Sequence, residues 1–134
     1  IFPNVRLIRN TTTSEIFEQV MHIGKGDVII GISFPRYSKH TAKILEYANN
    51  NGANVIAITD SVDSPLAQYA DNLLLAKSDM ASFVDSLVAP LSLINALIAA
   101  VSISDVDKIS KSFERLEQIW EQYDVYEKNK EISK

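Results

Sequence analysis

The stretch DVIIGISFPRYSKHTAKILEYANNNGANVIAITD, residues 27–60, decides the fold of this chain. It opens with DVIIGIS (27–33), a nearly continuous apolar run of the kind seen in strands covered on both faces. A polar loop, SFPRYSKHT (33–41), leads into a helical stretch from about Ser38 to Asn51. Leu45 and Ala48 fall on its inward stripe, and Gly52 takes the C′ position where a left-handed residue ends a helix. NVIAITD (54–60) is a second strand of the same type, beginning 27 residues after the first. Strand, helix and strand at this spacing predict a parallel βαβ unit, and hence an α/β sheet with helices on both faces.

Upstream, VRLIR (5–9) reads as a short strand and TTTSEIFEQVMHIGKG (11–26) as a helix. Thr12 and Glu15 have capping-box spacing, Ile16, Phe17, Val20 and Met21 share a stripe, and Gly24 and Gly26 end the run. Downstream, SPLAQYAD (64–71) predicts a short helix with Ser64 as N-cap and Pro65 at N1. NLLLAK (72–77) predicts the next strand.

The remainder is helical. FVDSLVAPLSLINALIAAVSI (83–103) is long enough to span a bilayer, but Asp85, Ser92 and Asn95 share one face. A charge at membrane depth is costly, so a buried or interface helix is expected and no membrane partner. An amphipathic C-terminal helix follows over 105–128. Its Val106, Ile109, Phe113, Leu116, Trp120 and Tyr123 step 3, 4, 3, 4, 3 along one seam. That seam lies either on its own domain or on a partner subunit.

Composition narrows the function. The 134 residues are expected to form one domain, with 46% hydrophobic and 22% charged residues. A net charge of −4 argues against this segment gripping nucleic acid by itself. Cysteine is absent, which excludes disulfides, thiolate nucleophiles and cysteine-based metal sites. A reducing cytoplasm is the expected location, and no cofactor or metal is expected. The chain starts Ile-Phe-Pro without a signal peptide, as a fragment of a longer protein would.

Loop 33–41 is the candidate anion site. A helix N-terminus offers unpaired N–H groups and partial positive charge. Ser33, Ser38 and Thr41 supply hydroxyls, Arg36 a bidentate cation and Lys39 a point charge, while Pro35 fixes the turn. Thr59, ending the next strand, is a further pocket candidate. The same residues also fit a plain turn, with Ser38 as N-cap and Arg36, Lys39 and His40 solvated.

GDVIIGIS (26–33) with Thr41, followed by AKILEYANNNGANVIAITDSVDSPLAQYADNLLLA (42–76), resembles the sugar isomerase (SIS) domain. ISFPRYSKHT (32–41) and SFVDSLVAPLSLINAL (82–97) are most similar to the C-terminal domain of RpiR-family bacterial transcription regulators. The resemblance spans roughly residues 4–103. It implies a flavodoxin-like three-layer αβα fold that binds a phosphosugar, a homodimer, and DNA contact only through an N-terminal helix-turn-helix domain absent from this chain. The family loop reads Ser-x-Ser-Gly-x-Thr. Ser33 matches its first serine, Thr41 is matched to its threonine, and Ser38 stands in for the second serine across a longer, glycine-free middle. The resemblance also implies one more strand and helix ahead of this chain's start. Without that strand, the sheet must leave a gap, close differently or borrow a strand from another copy.

A sugar-phosphate isomerase of this fold needs a base and a proton shuttle beside the anchored sugar. His40, Asp60, Asp63 and Asp85 are the main candidates, Glu15, Glu46 and His22 read as helix-surface or packing residues, and no two read as a base with its orienting partner. An effector-sensing domain is therefore expected ahead of an enzyme, with a dimerisation module as a third reading.

Overall fold

The computed structural model describes residues 4–9, 12–79 and 86–126. They fall into two compact units, Arg6–Asn95 and a second made of the residues up to Val5 together with those from Ala96 onward. Among the described residues the first unit holds helix α1 (Thr13–Val20), strand β1 (Val28–Ile32), helix α2 (Lys39–Asn50), strand β2 (Asn54–Thr59) and strand β3 (Asn72–Leu75). The strands form one parallel sheet in the order β1-β2-β3. Val28 pairs with Asn54 at one end of the first ladder and Ile32 with Ile58 at the other. The predicted α/β class with parallel strands is the observed one.

Local chemistry explains the elements. Thr12 caps α1 in a complete capping box with Glu15. Ser38 caps α2, its hydroxyl accepting from the Thr41 N–H. Gly52, at φ +81°, closes the far end by donating its N–H to the Asn49 carbonyl. One core joins Ile16 and Val20 of α1, Leu45 and Ala48 of α2, and Val55 and Ala57 of β2. Full burial of a leucine such as Leu45 stabilises by about 1.5–3 kcal/mol. Phe17 and Tyr47 brace the two helices edge to face, their ring centres 5.6 Å apart.

Four expectations change. First, β1 is covered on one face only: Val28, Ile30 and Ile32 remain exposed while Ile29 is buried. An apolar run records what the side chains are, not what lies over them. Second, residues 5–9 form no strand; the Gln19 carboxamide instead takes both backbone groups of Arg9, at 3.2 Å each. Among the described residues the sheet therefore ends at β1, with no strand at 5–9 for a missing neighbour to separate from it. Third, 64–71 makes only a single 3₁₀ turn, Ala67–Tyr69, and the buried Ser64 hydroxyl caps nothing. The chain has to reach Asp71, whose N–H and carboxylate bind the carbonyl and N–H of Val55, so no room is left for an α-helix. Fourth, the 83–103 helix is seen as α3 (Val88–Ser104), with Asp85 outside the described residues. It is apolar all round yet buries only Pro90.

Helix α4 (Val106–Gln122) is capped by Asp105, which accepts from the Lys108 N–H. None of its residues is buried, and Phe113 and Tyr123 of the predicted seam are exposed. Among the described residues no single helix is long and apolar enough to cross a membrane.

The core contains one forced contact. A Cβ added at Gly31 would lie 2.6 Å from Leu45 Cδ1, and Leu45 is 1% exposed. Gly31→Ala is expected to cost about 1–3 kcal/mol in urea unfolding, because the helix has to lift from the strand. Unchanged stability would show that α2 is not seated there.

Candidate functional site

The site is built where β1 ends and α2 begins. Ser33 leaves the strand with its N–H on the Ile58 carbonyl at 3.1 Å, so its position is tied to β2. It is buried, and its Oγ accepts from the Ser38 N–H at 3.0 Å. Ser38 in turn accepts from the Thr41 N–H at 3.2 Å. These bonds gather Ser33, Ser38 and Thr41 into one cluster at a helix N-terminus. Both serines act as acceptors here, so each keeps a hydroxyl proton for another partner.

Arg36 and Lys39 are exposed on the same loop. Arg36 has φ 70°, the left-handed region that costs a side-chain-bearing residue roughly 1–2 kcal/mol. Thr59 does not join the cluster: it is fully buried, and its hydroxyl donates to Asp60 Oδ1 at 3.2 Å. Asp60 Oδ1 also accepts from the Tyr37 hydroxyl, at 2.8 Å. This hydrogen bond, then burial, then the charges of Asp60 and Asp63 hold the Tyr37 phenol above its ordinary pKa. With that sign, the bond's contribution to stability is complete below the ordinary phenol range and is lost as pH rises through the raised value.

Tyr37 is the residue that the sequence reading passed over. The available signal was a lone aromatic inside a polar loop, with an acid at the end of the next strand. His40 and Thr41 also line a cleft of about 250 Å³ along the free edge of β1, together with Leu7, Ile30 and Gly31. A wider concavity beside Val62–Leu73 holds none of the loop residues. Among the described residues no group of three or more His, Asp or Glu side chains could hold a metal ion.

A parallel sheet with a helix capped at a strand's carboxyl end defines an open-sheet α/β protein. The family model of the SIS domain matches residues 11–100, and the chain belongs to that family. Its fold is similar to the sugar isomerase domain of an RpiR transcription factor from Sphaerobacter thermophilus. That likeness has a TM-score of 0.73 at 25% identity, covering 81% of this chain and 59% of the other. An uncharacterized HTH-type transcriptional regulator of Haemophilus influenzae is 38% identical over 60 residues, 45% of this chain and 21% of the relative. A second such regulator, from Caldanaerobacter subterraneus, is 29% identical over 103 residues, 74% of this chain and 36% of the relative. The chain thus spans only about a fifth to a third of the length of these regulators.

Read from Ser33 without a gap, the pattern Ser-x-Ser-Gly-x-Thr puts its glycine at Arg36 and its threonine at Ser38. The left-handed backbone at Arg36 is the conformation a glycine adopts without strain. Arg36→Gly and Arg36→Ala remove the same side chain and differ only in backbone preference. The glycine variant is expected to be more stable by about 1 kcal/mol in urea unfolding. Equal stabilities would mean that residue 36 is not left-handed in solution.

Proposed function

We propose that this chain is the phosphosugar-sensing and dimerisation part of a bacterial transcriptional regulator of the RpiR type, working in the cytoplasm and not as an enzyme. The observation that carries the reading is the pair of serine hydroxyls, Ser33 and Ser38, bonded to the Ser38 and Thr41 amides at the capped start of α2, beside two exposed cations. A phosphate at that helix start takes the serine and threonine hydroxyl protons, and Arg36 or Lys39 adds charge. Thr59 stands behind this group, acting through Asp60 rather than on the ligand. The kinship with HTH-type regulators supports a signalling role. DNA contact then belongs to a domain outside this chain, in keeping with the net charge of −4.

The test is a thermal-shift screen of the 134-residue chain against sugar phosphates, with inorganic phosphate and unphosphorylated sugars as controls. One phosphosugar is expected to raise the melting temperature, because a ligand of the folded state alone stabilises it. Thr41→Ala is expected to cut that shift while costing the ligand-free chain no more than about 1 kcal/mol of stability. No shift with any phosphosugar removes the sensor reading, whereas conversion of the ligand on incubation would reinstate an isomerase.

The exposed apolar residues of α3 and α4, among them Leu91, Ile98, Ile103 and Phe113, support a dimer. Light scattering is expected to give twice the chain mass. A monomer mass that holds as concentration rises would refute it.

A further inference from the structure

Tyr37 joins two parts of the site that the anion chemistry leaves separate. Its hydroxyl donates to Asp60 Oδ1 at 2.8 Å, reaching from the loop after β1 to the end of β2. The far end is fixed, because the same oxygen accepts from the fully buried Thr59. The near end directly follows Arg36, the left-handed residue, and directly precedes the Ser38 cap. A strained residue persists only where its surroundings over-determine it. Within the loop that restraint includes the Ser33–Ser38 and Ser38–Thr41 bonds, and both are local. The Tyr37 bond adds a side-chain tie from the middle of the turn to the end of β2, beyond the backbone bond from Ser33 to Ile58.

We infer that Tyr37 is a positioning residue: latched onto Asp60, it holds loop 33–41 in the shape that presents Ser33, Ser38 and Thr41 to a phosphate. The inference rests on the phosphosugar reading above. Tyr37 does not itself hold the ligand, since its hydroxyl proton is engaged by Asp60. The operative feature is the hydrogen bond and not the carboxylate charge, so an asparagine at position 60, which keeps Oδ1 as an acceptor, preserves it.

The test compares the wild-type chain with Tyr37→Phe, Asp60→Ala and Asp60→Asn by amide hydrogen exchange and by calorimetric titration with inorganic phosphate. The Ser38 and Thr41 amides report loop closure directly, because each is held by a loop hydroxyl. In Tyr37→Phe and Asp60→Ala both amides are expected to exchange about three- to tenfold faster, with phosphate affinity falling by a similar factor. Exchange in β1 and β2 stays unchanged, and Asp60→Asn behaves as wild type. Unchanged Ser38 and Thr41 exchange in Tyr37→Phe overturns the latch, and so does faster exchange with undiminished phosphate affinity. Should Asp60→Ala fail to fold, Tyr37→Phe carries the test alone. A wild-type chain that takes up neither phosphate nor any phosphosugar removes the ligand reading instead. Exchange then decides the latch by itself: release of the two amides in Tyr37→Phe upholds it as the device that closes the loop, and no release overturns it.

Discussion

The contact between Leu45 and the bare Cα of Gly31 is the constraint on which the site depends. With no Cβ at position 31, the α2 side chain rests directly on the strand. That seat fixes how far α2 slides along β1. Ser38 precedes Leu45 by seven residues, about 10 Å of helix at 1.5 Å per residue. Ser33 lies two residues beyond Gly31, toward the strand's carboxyl end. The helix start is thus brought over the strand end, where the Ser33 hydroxyl meets the Ser38 N–H at 3.0 Å. A packing requirement in the core becomes hydrogen-bond geometry at the surface.

The loop between those two serines balances opposing terms. A left-handed Arg36 costs roughly 1–2 kcal/mol, and each neutral hydrogen bond returns about 0.5–1.5 kcal/mol net. The two serine-centred bonds are therefore of the same size as the strain. A third bond, from Tyr37 to Asp60, moves the balance toward closure.

What the sequence made legible follows from the range of each interaction. The β1-α2-β2 unit and the Thr12, Ser38 and Gly52 caps were readable, because periodicity and capping act within a few residues. So was the gathering of Ser33, Ser38 and Thr41, which needs only a strand end and a helix start. Gly31 read as one more small residue in an apolar run, since its purpose lies in Leu45, fourteen positions away. Residues 5–9 have strand-like composition, yet their hydrogen bonds go to the Gln19 side chain, which no pattern announces. Tyr37 and Asp60, twenty-three positions apart, are paired only by the parallel register of β1 and β2.

The same strand serves two purposes. Along its length β1 offers an unpaired edge and the exposed side chains of Val28, Ile30 and Ile32; at its end it supplies Ser33. Among the described residues that edge is unpaired, and an exposed edge favours pairing with another segment or chain. Whatever covers it acts on the strand that anchors one side of the loop, while Asp60 on β2 anchors the other. Closure of the loop fixes Ser33 against both Ile58 and Ser38, so an occupied site and a covered edge restrain the same few residues. Two binding events that restrain shared residues affect each other's free energy, and they do so reciprocally.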